Sequence, residues 1–329
     1  VPGTDKALRF GEGDMAELAS SSVAVTSPAR ASRYGAALVF LSALLWSLGG
    51  AIARYIDAPD PWAVIFWRSL WATAFLIAYM VWRDGWRGTV QMFRNMGLPG
   101  LAVAACFATA SICFVVALSY TTVANILLIQ AGVPLIAALF AWIALREKVS
   151  GSTWVAIFFV IVGVGVMVSE TLGGSVSPIG DGLALAITCA LATATVITRR
   201  FSNVRMTPAT CLGTVFAAVL ALTQASSLKV SGHDMAFLFA FGVVNLGLGL
   251  ACFATGARMI PAAMAALLGT FETILGPVWV WLAHAEVPSG RTLIGGGIVF
   301  AALLVHIARE FRRHSQPPRP GVSGLPAPN

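Results

Sequence analysis

Ten apolar runs, each close to the length that crosses a lipid bilayer, follow one another between residues 34 and 308, with short loops between them. They fall near 34–56, 61–82, 98–118, 122–145, 152–169, 180–198, 208–226, 235–257, 262–284 and 290–308. A spanning helix needs about 20 predominantly apolar residues, because the hydrocarbon offers no water to the backbone and a helix satisfies its own polar groups. The chain is 58% hydrophobic and 11% charged, whereas soluble domains carry roughly 25% charged and about 45–50% apolar residues. The expected fold class is therefore an all-α integral membrane protein. Ten spans in 329 residues leave little chain for a soluble domain.

A net charge of +7 would fit a nucleic-acid partner, but the basic residues sit in the short loops. One set of alternate loops and ends holds Arg30, Arg33, Arg83, Arg87, Arg94, Arg146, Lys148, Arg199, Arg200, Arg205, Arg258, Arg309, Arg312 and Arg313. The other set holds Arg54, Lys229 and Arg291. Cytoplasmic loops are enriched in Lys and Arg, so fourteen against three predicts both termini in the cytoplasm. A missed or invented span would scramble that parity beyond the error. The expected location is a bacterial-type inner membrane, with the bilayer as partner and no nucleic acid. Trp62, Trp82, Trp86 and Trp154 lie near span ends, where indoles anchor at the interface.

Residues 1–33 are polar, rich in Gly, Ser and Ala at first, and lack the apolar core of a signal peptide. They read as a disordered lead. Met15 is a candidate native start, which would set residues 1–14 outside the natural chain. Residues 309–329 read as a disordered tail, rich in Pro beyond Arg313. Cys106, Cys113, Cys189, Cys211 and Cys252 all fall within spans, without zinc-ligand spacing. They read as small packing residues, and no disulfide is expected.

The chain also repeats itself. Glu147, Ser150, Gly151 and Thr153 return 139 residues later as Glu286, Ser289, Gly290 and Thr292, and Trp142 returns as Trp281. At an offset of 145, Gly35, Leu38, Ile52 and Arg54 match Gly180, Leu183, Ile197 and Arg199. The expectation is two five-helix repeats, 34–169 and 180–308. Five is odd, so the second half enters the membrane inverted. Inverted repeats place a substrate site near the midplane between the halves.

Two five-helix halves, each closing its fourth helix with a glutamate, resemble the drug/metabolite transporter superfamily and its ten-helix EamA-type members. The runs Pro134 to Glu147 and Glu272 to Glu286 carry the resemblance. Thr273 stands where such proteins commonly place Pro after the second-half glutamate. In length and architecture the chain is similar to bacterial amino-acid exporters, including those for aromatic amino acids. The resemblance implies a transporter, and identifies the superfamily better than a substrate.

Charge inside a bilayer costs about 2.5–3.5 kcal/mol on insertion scales, so ionisable residues within spans are the first functional candidates. Glu272, midway along the ninth run, could hold a substrate amine or carry a proton; the alternative is a carboxyl bonded for packing. Arg68, seven residues into the second run, could pair with Glu272 or a substrate carboxylate. The alternative, slightly favoured, is snorkelling to the interface. Asn125, Gln130 and Asn245 could bind a zwitterion or bridge helices. Trp46 could line an apolar pocket or simply pack. Pro134 and Pro277 free backbone carbonyls and are candidate hinges or cavity-lining positions. Glu147 and Glu286 read as structural, and Ser111 and Thr188 as bonded to their own backbone.

The HExxH, GxSxG, Walker A and GxGxxG patterns are missing from the sequence. His233, His284, His306 and His314 are scattered, so neither a catalytic residue, a metal nor a cofactor is expected. A secondary or facilitated transporter for amino acids or related small metabolites, with protons as a candidate coupling ion, is the leading expectation. A nucleotide-sugar or phosphometabolite carrier would call for several deep basic residues, and only Arg68 lies deep. An intramembrane enzyme or a receptor is the contrasting class.

Overall fold

The computed structural model describes residues 28–146, 151–172, 177–201, 206–260 and 262–314. Among these, all regular structure is helical. The first span is Pro28–Ser47 followed by Gly49–Arg54. The second is Pro61–Arg94, the third Gly97–Ala117, and the fourth Val123–Gln130 with Val133–Leu145. The fifth is Gly151–Leu172, the sixth Pro178–Arg200 and the seventh Met206–Gln224. The eighth runs over Gly232–Phe239, Ala240–Leu248 and Gly249–Gly256, the ninth over Ala262–His284 and the tenth over Gly290–His314. Among the described residues, eight helices are long and apolar enough to cross a membrane, and the bent pair in the fourth position makes a ninth. The 23-residue ninth helix, which carries Glu272, stands where the ninth run is expected. Glu147, Lys148, Arg205, Pro261 and most of the two expected disordered ends lie outside the described residues.

Helices that start on the face opposite the chain ends share one device. Asp60, Thr122, Ser177, Ser231 and Ser289 each accept a hydrogen bond from a backbone N–H in the first turn that follows. Capping satisfies N–H groups that the helix itself leaves bare. Asp60 also accepts from the Ser226 hydroxyl at 2.7 Å. Burial pushes against its charge, but the Ser226 hydroxyl and the N–H groups of Trp62, Ser226 and Ser227 outweigh it, so its pKa lies below the ordinary 3.8. Asp234 accepts from the Asp57 N–H, tying the first hairpin to the eighth span. Asp57, His233 and Asp234 bring ligand-type atoms within 4.8 Å of one another there, with Asp234 already engaged by that N–H and by Ser231.

The second helix does not stop at Trp82 as expected. It continues to Arg94 across a kink at Gly85, whose φ of 72° suits a residue without a side chain. Trp82 and Trp86 remain largely exposed around that kink. Among the described residues the five cysteines are free.

The packing is almost unchanged when the two halves are exchanged. The second span packs on the seventh, the fifth on the tenth and the fourth on the ninth, pairs that map onto themselves. The third packs on the sixth as the eighth does on the first, and the fourth on the sixth as the ninth on the first. This is the two-fold relation between inverted halves. The fifth and tenth spans meet at Gly163 and Gly295, where a Cβ on either would strike the other's carbonyl oxygen.

Candidate functional site

The third, sixth, seventh and eighth spans, closed by the first, second, fourth and ninth, surround a cavity of about 460 Å³. Small-molecule sites commonly measure about 300–1,000 Å³. Trp46, Arg68, Gln130, Asn245 and Glu272 all line it. Phe107, Phe114 and Phe253 supply aromatic wall, and Ser111, Thr195, Thr210 and Thr214 supply hydroxyls. The lining runs from mid-depth toward the face that bears the chain ends. On that side it reaches Thr195, Thr210 and Phe253. On the other it stops at Gly49, Phe114 and Ile187.

Arg68 is only 6% exposed, which overturns the snorkelling expectation. Its guanidinium lies 4.2 Å from the centroid of Phe241 and 5.8 Å from that of Phe114. A cation over an aromatic face is attracted by the ring quadrupole, more so when desolvated. Nη1 donates to the Ser111 hydroxyl at 3.0 Å, so Ser111 serves a neighbouring helix instead of its own backbone. Nε is buried without a hydrogen-bond partner. Thr188 does bond its own helix, to the Ala184 carbonyl.

Glu272 faces the same cavity from the ninth span, which packs on the first and fourth. Its carboxyl makes no hydrogen bond and no ion pair with described residues, Arg68 included. The guanidinium and the carboxyl are thus held on different helices that face the same cavity. Pairing them directly would have offset part of the cost of burying both.

Asn245 has a structural duty. Its amide donates to the carbonyls of Leu45 and Trp46 at 2.8 and 3.0 Å, where the first span breaks before Gly49. It lies in a nine-residue π-helical stretch, Ala240–Leu248, of a kind often found at functional sites. Trp46 leans on Phe253 at 5.3 Å between ring centroids. Its indole fits because Gly249 has no side chain.

Asn125 stands apart from this cavity. It donates to the Asp181 carboxylate and to Thr121 nearer the opposite face. Its position five residues from Gln130 puts it about 140° away around an α-helix. Pro134 and Pro277 are not among the lining residues either. The fourth span breaks at Ala131–Gly132, just before Pro134, and bends by 41°. The helix carrying Pro277 is continuous through it. Glu286 binds Arg54 at 2.9 Å and accepts from the Val123 N–H.

Phe107, Phe253, Thr210 and Thr214 also line the cavity without being marked in the sequence. A phenylalanine or threonine in an apolar helix offers no contrast with its neighbours. The inverted offset could have drawn attention to the seventh span, since it pairs with the helix bearing Arg68.

The EamA-like transporter family matches this chain over residues 33–169 and 178–308. Sixteen solved chains are similar to it. One of them, a crystal structure described only as that of a protein, is 18% identical, covers 86% of this chain and 99% of its own, and superposes with a TM-score of 0.60. That likeness concerns the fold. No curated protein matches the chain.

Proposed function

Because the chain belongs to the EamA-like transporter family, we propose that it is a secondary or facilitated exporter of amino acids or related small zwitterionic metabolites. The observation that carries this reading is the central cavity. It holds a buried guanidinium and an unpartnered carboxyl on different helices, with aromatic wall around them. A free amino acid presents the complementary pair, a carboxylate for Arg68 and an ammonium for Glu272. Trp46, Phe107, Phe114 and Phe253 favour an apolar or aromatic side chain. Gln130 can donate or accept at the same site, and Asn245 supports the wall through the first span. Charge-assisted hydrogen bonds are about twice as strong as neutral ones, which suits recognition by two groups.

With both termini in the cytoplasm of a bacterial-type inner membrane, the cavity lies toward the cytoplasmic side. Rocking of repeats 34–169 and 180–308 about this site would expose it to each face in turn. The bend before Pro134 offers one hinge, and Pro277 a second point of helix weakness. Glu272 could release a proton as the amine binds, coupling export to a proton gradient. The roles of catalyst and metal ligand are assigned to no residue.

The test is counterflow of labelled amino acids in proteoliposomes holding the purified protein. Saturable exchange of amino acids, strongest for aromatic ones, is expected. Exchange of other small solutes only would refute the substrate class, and no exchange of any small solute would refute the transporter reading.

A further inference from the structure

A second cavity of about 400 Å³ lies near the face opposite the chain ends. Arg54, Leu118, Thr121, Asn125, Asp181 and Thr292 are among its lining residues. Four helices line both cavities, the second at a level nearer the face opposite the chain ends. Gly49 lines the central cavity and Arg54 the second on the first span; the corresponding pairs are Phe114 and Leu118, Gln130 and Asn125, and Ile187 and Asp181. Each pair is four to six residues apart, about 6–9 Å at helical rise. The second cavity is therefore stacked beyond the central one on these four helices and offset toward the fifth and tenth spans, which supply Met167 and Thr292.

An apolar septum fills the gap. Ala51, Ala117, Ala184, Ile126 and Leu127 belong to one buried cluster, and Ala117, Ala184 and Ile126 are fully enclosed. Its alanines are small, so a modest separation of helices would open it. One ion pair spans the helix ends around this plug. The Arg54 guanidinium reaches Glu286 Oε2 at 2.9 Å and donates to the Leu118 and Thr121 carbonyls at 2.9 and 3.3 Å. The other Glu286 oxygen takes the Val123 N–H at 2.9 Å. Two side chains thereby fasten the first and ninth spans and the turn between the third and fourth.

We propose that the second cavity is the exit vestibule of the transport path, and that the Arg54–Glu286 pair is the latch holding the septum shut in this state. The inference rests on the transporter reading for its meaning, but its geometry can be tested separately. Ala184 lies one turn from Asp181 and one from Ile187, so Ala184→Cys places a thiol inside the plug. Proteoliposomes carrying this variant are treated with a membrane-impermeant thiol reagent from the vestibule side, with the native cysteines alone as background. Adding Glu286→Gln or Arg54→Gln is expected to raise the labelling rate at least tenfold while thermal melting shows a folded protein. Unchanged labelling in both folded variants overturns the latch. Should both unfold, Arg54→Cys with Glu286→Cys, joined by a short bifunctional thiosulfonate, decides the matter. Joining should stop release at the vestibule face and spare ligand binding in the central cavity, and reductant should restore release. Release unaffected by the joined pair overturns the proposal. Labelling needs no knowledge of the solute, so a latch that fails and a protein that moves nothing are separate results.

Discussion

The central cavity and the vestibule share four helices but settle their charges in opposite ways. In the vestibule wall, Arg54 is committed to a carboxylate and two carbonyls, and Asp181 accepts from Asn125. In the central cavity, Arg68 has one hydroxyl and two aromatic faces, and Glu272 has no hydrogen-bond or ion-pair partner among the described residues. A bilayer penalises buried charge in both places. Saturated charge holds helices together, whereas charge left open is available to a ligand.

The largest effect is expected from Glu272→Gln. If the open carboxyl couples transport to protons, this change abolishes transport driven by a pH gradient without lowering thermal stability. Transport at the original rate in a pH-gradient assay would remove Glu272 from that role. Next comes Arg68→Ala. Losing a hydrogen bond to a charged group costs about 1.5–3 kcal/mol, so substrate affinity should fall by about 10- to 150-fold. Arg68→Lys should rescue little, since an ammonium does not reproduce the planar fork. Isothermal titration of the purified protein reads both, and undiminished affinity in Arg68→Ala would end the contrast between the two regions.

Asn245→Leu separates wall from ligand contact. It leaves the Leu45 and Trp46 carbonyls without their amide, a loss of about 0.6–1.7 kcal/mol for interhelical bonds in membranes. A small drop in melting temperature is expected, with affinity changed less than in Arg68→Ala. The smallest effect belongs to Asp60, beyond both cavities. Its folded pKa lies below 3.8, so its contribution is complete above that value and fades as the pH falls through the folded value. Melting measured down to acid pH should show a slightly shallower decline in Asp60→Asn than in the native protein.

The membrane architecture was legible because its signals are coarse. Runs of apolar residues and alternation of Lys and Arg survive errors of several residues at each boundary. Five candidate site residues were legible for a related reason. Trp46, Arg68, Gln130, Asn245 and Glu272 are rare types in the middle of spans, where a polar or bulky group stands out. Depth alone could not tell which way a side chain points. Asn125 and Gln130 are five residues apart on the fourth span and serve different cavities. Whether Arg68 snorkels or turns inward was not legible, because distance from a helix end says nothing of a waiting Phe241. The break at Ala131–Gly132 was marked by Pro134, which removes a hydrogen bond to the preceding turn, whereas the π stretch at Ala240–Leu248 has no such mark in the sequence.

The crossing of Gly163 and Gly295 has a mechanical consequence. Backbone approaches backbone there, flanked by the side chains of Met167 and Val299. Such a point is a fulcrum, and displacement along each helix grows with distance from it. Gly151 lies twelve residues away, about 18 Å along the helix. A tilt of about 10° would carry that end through about 3 Å while leaving the crossing in place. An alanine at either glycine would strike the facing carbonyl oxygen, so the pivot itself would have to move apart before the lever could turn.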